Sequence, residues 1–492
     1  MKLHLPKALF AAVVGVMTFT TNAQAALEKI TVTDASITKD VTQTSGSVHG
    51  VAQNEIATEG AANNITINVK SGAKVSEVIG GIQFSPKDYK NDINLTEDML
   101  DGGVTVNVES GATVTGTVYG GSMISQPASG MTTEQYAEAL GDKKNAGSIK
   151  INVTGGTIGT IGGKSEAIMG GGGRHCGTEA GGAITVNISG DAKINNLVYA
   201  GTNGGTTYGT NLNISGGTFE ADVYGAGRKS YGVVDGDTNV SISGGTFKGN
   251  VYGAGNEDTV KGNTNVTITG GDIQGTVYGG GSNGAKVSGS KKLVVGSEGA
   301  TAPISVSVSD FDSITVNSAT TFTGLEIAEG GTDIDVATGA TLTINELMTS
   351  VSTANVENQS LLSFSGDVTF ANDIVFTIVI TDELLAQGSQ EVSLGLFKVS
   401  IQDAFMGETE AKLQGCNLVF VSESGEVLTN VSTNNGTTIT LLEDVDLNDV
   451  MAGGNSSLGV TVTITADNIP EPTTATLSLL ALAALASRRR RK

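Results

Sequence analysis

The chain has 492 residues, of which 28 are basic and 50 are acidic, so its formal net charge is −22. A chain this acidic is soluble and self-repelling, and it makes a poor ligand for nucleic acid or anionic lipid. Its 69 glycines follow no three-residue period, which excludes collagen, and abundant Val, Ile and Thr argue against disorder. We therefore expect many short strands separated by turns, in two or three domains.

Residues 1–25 have the three parts of a secretory signal peptide. Lys2 and Lys7 form its charged region, and an apolar run follows from Ala8 to Phe19. Small residues mark the expected cleavage site, which lies among Ala23, Ala25 and Ala26. Cleavage after Ala25 would make Ala26 the first residue of an exported protein. Its body, without the basic residues of both ends, would carry a net charge of −29.

Residues 26–63 are interpreted as an N-terminal cap, and residues 64–295 contain a recurring pattern. Its seven copies centre on the glycines Gly72, Gly111, Gly155, Gly190, Gly216, Gly244 and Gly270. The last four of these glycines recur about every 27 residues, and a nearly fixed period of this size is typical of a solenoid.

Alternation within each copy predicts a strand with one buried and one wet face. The residues two and four before the central glycine are aliphatic, as Val240 and Ile242 are, and polar Ser241 lies between them. A Gly-Gly pair then turns the chain, and a Val-Tyr-Gly step restarts an inward side. The other clear aliphatic pairs are Ile151 and Val153, Val186 and Ile188, Leu212 and Ile214, and Val266 and Ile268.

A single copy is too small to be stable alone. Each buried aliphatic side chain contributes about 1.5–3 kcal/mol, whereas ordering the backbone costs about 1–2 kcal/mol per residue. Pairing with neighbouring copies must supply the rest, so each copy is read as one coil of a parallel β-solenoid. The pattern resembles the passenger repeats of bacterial autotransporters, and the resemblance carries no catalytic motif. Seven coils would make a rod of about 30 Å.

The pattern weakens towards the C-terminus. Residues 296–350 are interpreted as irregular coils, and residues 351–468 as a β-rich capping module that would cover the open edge of the rod. The predicted fold class is therefore all-β. It consists of a parallel β-solenoid of about seven coils, a smaller β-sandwich-like C-terminal module, an N-terminal signal and a C-terminal membrane helix.

Three insertions interrupt the repeat spacing, at about residues 82–103, 122–148 and 164–182. Each follows the same corner of its coil, so we expect the three loops to lie side by side. Functional residues gather on such insertions. Two interpretations stay open here, a ligand-binding patch and tolerated surface decoration.

Five tyrosines occupy one position of the repeat and predict a ladder. An aromatic ladder inside the solenoid would support the fold, whereas an exposed ladder would offer a strip on which sugar rings stack. The inside position is the favoured interpretation. The residues are Tyr119, Tyr199, Tyr224, Tyr252 and Tyr278.

One short segment concentrates reactive side chains, with His175 and Cys176 beside Arg174, Glu166 and Glu179. No metal-binding or nucleophile motif accompanies it. The segment from Asp444 to Asp449 resembles the start of a calcium loop but lacks its turn glycine and closing glutamate. We therefore predict no catalytic residue, metal or cofactor. The two cysteines, Cys176 and Cys416, are expected to be too far apart along the rod for a disulfide.

Residues 469–492 form a three-part tail. Pro470, Glu471 and Pro472 precede a short apolar run, Thr473 to Ser487, which is followed by a basic cluster. An apolar run with a positive end is typical of a membrane segment. The tail resembles the bacterial PEP-CTERM sorting signal, which implies recognition by an exosortase. The basic residues of the motif are Arg488, Arg489, Arg490 and Arg491.

Together these features predict an exported, non-enzymatic surface protein, adhesin-like or structural, that is anchored at the cell envelope at least transiently. The expected partners are an exosortase-type membrane enzyme, the membrane itself and an extracellular glycan, but not nucleic acid. The alternative is a β-helical polysaccharide lyase or hydrolase, which would need carboxylates or a basic proton acceptor converging in a groove.

Overall fold

The computed structural model is an all-β solenoid in which every secondary-structure element is a strand in the part of the chain that it describes. That part comprises residues 37–51, 64–84, 103–124, 144–145, 147–163, 166–173, 177–178, 182–351, 357–366, 368–382, 390–399, 416–425, 432–433, 440–441 and 457–464.

The first long sheet, called sheet 1, receives one strand from each coil. Neighbouring strands are parallel and in register, so that Val240 lies between Leu212 and Val266. In chain order, its parallel strands are Ile37–Val41, Ile65–Val69, Val104–Val108, Ile149–Val153, Ile184–Ile188, Thr210–Phe219, Thr238–Phe247, Thr264–Ile273, Lys291–Val295, Ser313–Val316, Thr332–Val336, Glu357–Ser365 and Gln390–Val399.

The second long sheet, called sheet 2, closes the opposite side of each coil with parallel strands. These strands are Ser47–Val51, Glu77–Phe84, Val118–Tyr119, Glu166–Met169, Leu197–Tyr199, Val223–Tyr224, Val251–Tyr252, Thr276–Tyr278, Ile304–Phe311, Thr320–Ile327, Leu342–Val351, Val368–Ile380 and Cys416–Ser422. The short strand Met123–Ile124 also pairs with Glu77–Phe84.

A bend divides the strands of sheet 1 at the glycine pair of the repeat. Gly217 and Gly245 have φ angles of 97° and 101°, which residues with a side chain rarely adopt. In earlier coils the segment after the bend is a separate short strand, and the four such strands pair in parallel. They are Lys74–Val75, Thr113–Val114, Thr157–Ile158 and Lys193–Ile194.

The main core runs along the axis between the two sheets. The alternation predicted a buried aliphatic pair in each coil, and the structure confirms it: Val186 is 0% and Ile188 1% exposed. The polar residue between each pair faces outward. Further inward side chains come from beyond the bend, such as Phe219 and Phe247, and from sheet 2, such as Val223.

The described strands form thirteen successive parallel coils. The sequence predicted seven glycine-centred coils, followed by irregular coils at residues 296–350. The ladders begin at Ile37, inside the predicted cap, and they run through the boundary predicted at residue 351. The coils after Val295 lack this glycine pattern, and the first of them are shorter. Val240 pairs with Val266 in the next coil, whereas the shorter coil that starts at Leu293 already returns to its register partner at Ile314.

A third parallel sheet, called the corner sheet, lies outside sheet 2 in four coils. Its strands are Asn203–Thr207, Arg228–Val234, Thr259–Val260 and Lys286–Val287. Val234 and Val260 of this sheet form a small apolar cluster with Ala226 and Ala254, and Val287 packs against it. Before this sheet begins, Lys144–Asn145 pairs in parallel with Gly177–Thr178.

Antiparallel pairing occurs beyond the last parallel strands. Ser457–Ile464 pairs with Gln390–Val399 and with Ser432–Thr433, and Thr440–Leu441 pairs with Cys416–Ser422. This pairing occupies one edge of each long sheet. A separate β-sandwich-like module at this end stays a prediction.

Candidate functional site

Several predicted site residues lie outside the described part of the chain. They are the signal residues Ala23, Ala25 and Ala26, the sorting residues Pro470, Glu471, Pro472, Arg488, Arg489, Arg490 and Arg491, the cluster residues Arg174, His175, Cys176 and Glu179, and the segment from Asp444 to Asp449. Most of the three insertions is also outside. Cys416 begins a described strand, but its side chain is not among the described ones.

The predicted tyrosine ladder exists, and it lies in a second core. Sheet 2 has two buried faces. Val198 and Val223 point to the main core, whereas Tyr199 and Tyr224, next to them in sequence, point to the opposite side. The second core contains Ile79, Tyr119, Met169, Tyr199, Tyr224, Tyr252 and Tyr278.

Four rings of this ladder stack face to face. Ring centroids are 4.7 Å apart between Tyr199 and Tyr224, 4.7 Å between Tyr224 and Tyr252, and 4.8 Å between Tyr252 and Tyr278. All four rings are buried, with at most 4% of the residue exposed. A sugar ring cannot reach them, so the glycan-binding strip considered for these tyrosines is wrong. The ladder supports the fold.

A polar column of the corner sheet accompanies the tyrosine ladder. Arg228 lies between Asn203 and Asn256 in the backbone register, and Asn256 pairs in turn with Ser282. Each of these residues follows a ladder tyrosine by four positions. The Ser282 and Tyr224 hydroxyls are 3.3 Å apart. Sequence analysis missed this column, although the constant spacing from the tyrosines was a usable signal.

Glu166 and Arg228 form an ion pair at this corner, two coils apart. Only 9% of the Glu166 side chain is exposed, compared with 34% of the Arg228 side chain. Burial lowers the pKa of Arg228, but the carboxylate of Glu166 and neighbouring groups outweigh it and raise that pKa overall. Glu166 belonged to the predicted reactive cluster, whereas Arg228, 62 residues later, did not.

Burial raises the pKa of the Tyr199, Tyr224 and Tyr252 hydroxyls above the ordinary value of a tyrosine. These phenols are therefore protonated at neutral pH. In this state they can donate hydrogen bonds, but they cannot take a proton from a substrate.

Asp258 is a second buried carboxylate in the corner region, and only 1% of the residue is exposed. Its Oδ2 accepts a hydrogen bond of 2.8 Å from the backbone N–H of Gly227. Oδ1 has no hydrogen-bond partner among the described residues. Burial raises the pKa of Asp258 to about 7, and backbone hydrogen bonds oppose this increase.

The outward face of sheet 1 carries a ladder of asparagine side chains. Asn107 donates to Asn68 over 2.7 Å and accepts from Asn152 over 2.7 Å. The same contacts continue to Asn187 and Asn213, at 2.8 and 2.9 Å. A second, shorter ladder joins Asn211, Asn239 and Asn265 at 3.1 and 3.0 Å.

These ladders belong to a larger surface, which we call the amide face. It consists of the two outward positions of sheet 1 in the seven coils between Ile65 and Ile268. Its only charged residue is Lys150. Its members are Thr66, Asn68, Thr105, Asn107, Lys150, Asn152, Thr185, Asn187, Asn211, Asn213, Asn239, Ser241, Asn265 and Thr267.

A charged cluster lies where the tyrosine column ends. In the coil after Tyr278, Ser309 takes the ladder position, and its hydroxyl donates to Glu326 over 2.7 Å. Lys291 forms an ion pair with Asp310, and its Nζ lies 3.6 Å from Oδ1 of Asp312. Burial raises the pKa of Asp310, and the Lys291 ammonium opposes this increase.

Neither a metal-binding group nor a membrane helix occurs among the described residues. No three His, Cys, Asp or Glu side chains there are placed to hold a metal ion. In the same ranges, no helix has the length and apolar character needed to cross a membrane. Comparison with protein families, with curated proteins and with solved structures finds no match to this chain.

Proposed function

We propose that the chain is a non-enzymatic, exported β-solenoid that serves as a structural or adhesin-like rod at the cell surface. The observation that carries this proposal is the use of repeat positions. The buried tyrosines and the outward asparagines contact their equivalents in the next coil. These side chains stabilise a rod and display a surface, as expected of a structural protein.

We further propose that the C-terminal tail sorts the protein to the cell envelope. Support comes from the sequence alone, through the Pro470–Pro472 motif, the apolar run and the basic end, together with the secretory signal at the N-terminus. An exosortase-type membrane enzyme is the partner that this tail implies.

Replacing Pro470, Glu471 and Pro472 together by alanine tests the sorting proposal. Cell fractionation should show that the protein leaves the envelope fraction, whereas the matched variant Thr473→Ala with Thr474→Ala should stay there. The mass of the surface form would locate both cleavage sites. Unchanged envelope retention of the first variant would refute sorting through this motif.

A polysaccharide lyase or hydrolase is the second candidate, and one observation favours it. Glu166, which lies in the insertion at residues 164–182, pairs with Arg228, so one carboxylate and one basic residue meet there, although such an enzyme was expected to bring two carboxylates together with the basic residue. However, the nearby tyrosine hydroxyls hold their protons, which makes them poor general bases. Release of reducing ends or unsaturated sugars from neutral and acidic glycans, lost in Arg228→Gln, would establish this activity in place of the structural role.

A further inference from the structure

The amide face differs in charge from the rest of the molecule. Thirteen of its fourteen side chains are uncharged, and Lys150 gives it a charge of +1. The whole chain has a net charge of −22. Apart from Lys150, charged residues appear in the same columns only beyond the ends of the face, first at Asp40 before it and at Lys292 after it. A neutral flat surface of this extent in an acidic protein needs an explanation.

We propose that the amide face binds an uncharged, extended polysaccharide that lies along the rod. This inference rests on the proposed location at the cell surface, where such polymers are met. Each asparagine in the middle of a ladder uses one N–H and one oxygen lone pair for its neighbours. A second N–H and a second lone pair remain for a ligand, and threonine hydroxyls also donate and accept. Sugar hydroxyl groups have the same double capacity.

The spacing of the face suits a polymer better than a single sugar. Equivalent side chains recur once per coil, at the strand separation of about 4.8 Å. A chain of sugar residues along the axis therefore meets the same groups repeatedly. Each contact is weak, but linked contacts on one polymer raise the overall affinity through effective concentration.

The dimensions of the face argue against a second copy of the protein as its occupant. Seven strands at about 4.8 Å and five residues at about 3.3 Å give a surface of about 34 by 17 Å, or about 600 Å². A stable protein interface buries about 800 Å² on each partner. Net negative charge on both copies would also oppose their association.

Affinity electrophoresis of the purified full-length protein in gels that contain hydroxyethyl cellulose tests the proposal. Migration should be retarded, and an equal amount of alginate, an anionic polymer, should retard it less. The triple variant Thr66→Val, Thr105→Val and Thr185→Val removes three hydroxyls from the face but keeps the β-branched shape. It should bind the neutral polymer about tenfold more weakly.

The matched control is the triple variant Thr157→Val, Thr218→Val and Thr246→Val. These threonines lie beyond the bend of sheet 1, in one column of the same rod. The control should bind like the unchanged protein. Equal binding by all three proteins, or equal loss in both variants, would overturn the proposal.

Three further outcomes separate the glycan proposal from a dimer interface and from the sorting proposal. Sedimentation experiments could show a dimer that the Thr66, Thr105 and Thr185 variant no longer forms. That result would assign the face to a second copy and overturn the glycan proposal. If the protein binds the polymer normally but fails to reach the envelope, the sorting proposal is refuted and the glycan proposal for the amide face stands. Normal sorting without polymer binding would refute the assignment of the face alone.

Discussion

Two regions of the same solenoid differ in how the chain completes each coil. In the glycine-rich coils, residues 184–290, each coil takes about 27 residues and adds a corner strand, and the last three of these coils bend at a glycine pair. In the short coils, residues 291–331, each coil takes only about 20 residues, and the corner sheet is absent from this described region. The extra residues of a glycine-rich coil enclose a second core.

The comparison shows what the glycines make possible. The tyrosine ladder is covered because the backbone passes close outside it. Three threonine hydroxyls stabilise this corner. Each donates a hydrogen bond of 2.5 to 2.7 Å to the carbonyl of the glycine that follows a ladder tyrosine, and the three residues are Thr210, Thr238 and Thr264. The short coils rely instead on the main core, with large inward side chains such as Phe311 and Phe322.

Adding one methyl group to each region should give the largest contrast. A Cβ at Gly253 would lie 2.5 Å from the carbonyl oxygen of Gly279 in the next coil, whereas a Cβ at Gly324 would meet no described atom nearer than the Ser307 Oγ at 3.1 Å. Gly253→Ala should cost about 3 kcal/mol of unfolding free energy. Urea unfolding followed by circular dichroism measures it. A smaller cost than that of Gly324→Ala would contradict the close-packed corner.

Asp258 and Asp310 should respond to different extents to replacement by asparagine. The folded pKa of Asp258 is raised to about 7, so the folded protein holds a proton that the unfolded chain loses near pH 4. Its contribution to stability is therefore present below about pH 4 and is lost as the pH rises towards 7. Asp258→Asn should match the unchanged protein at low pH and exceed it by a few kcal/mol at pH 8.

Asp310→Asn is the control from the short coils. Burial raises the pKa of Asp310 as well, but the Lys291 ammonium opposes the increase, so this variant should gain less stability at pH 8 than Asp258→Asn does. Unfolding free energies measured at several pH values compare the two variants. If Asp258→Asn instead lowers stability at pH 8, the carboxylate has a charged partner and the proposed linkage is wrong.

Tyr252→Leu tests the stacked second core. The ring of Tyr252 stacks on Tyr224 and Tyr278, and each stacked pair contributes about 0.5–1.5 kcal/mol beyond burial. Its unfolding free energy should fall by about 2 kcal/mol more than that of Phe322→Leu in the short coils. The near-ultraviolet circular dichroism of the stack should also weaken. Equal losses would show that stacking adds nothing to packing.

The outward ladder should have the smallest effect. Asn152 donates to Asn107 and accepts from Asn187, and Asn152→Ala removes both bonds at a half-exposed site. We expect a cost of about 1 kcal/mol, compared with less than about 0.5 kcal/mol for Thr315→Ala in the same column of the short coils. Thermal unfolding midpoints give the comparison, and a neutral Asn152→Ala would remove the stabilising role of the ladder.

The parts of the fold that follow from local periodicity were predictable. Alternation at Val186 and Ile188 indicated their burial, and the nearly fixed spacing of the glycines indicated parallel stacking. The short coils keep alternation but lack a glycine pair at the bend of sheet 1, so the sequence indicated irregular coils there without giving their number, and the estimate of seven coils followed the glycines alone.

The second core was not predictable from alternation. Val198 and Tyr199 are adjacent and both buried, on opposite faces of sheet 2, which requires a third layer outside that sheet. That layer comes from glycine-rich segments that the sequence suggested to be simple corners. The contact of Glu166 with Arg228 depends on which coils stack. The two residues are 62 positions apart, and no sequence pattern at either one indicates the other as its partner.

The like-with-like ladders have a consequence for how such a gene changes. Asparagine meets asparagine and tyrosine meets tyrosine across coil boundaries, so the upper and lower surfaces of a coil are nearly interchangeable. A tandem duplication of the codons from Val240 to the residue before Val266 would insert a coil whose two neighbours already match it. The length of the rod is therefore set by copy number, in steps of one strand spacing, without a new interface having to evolve.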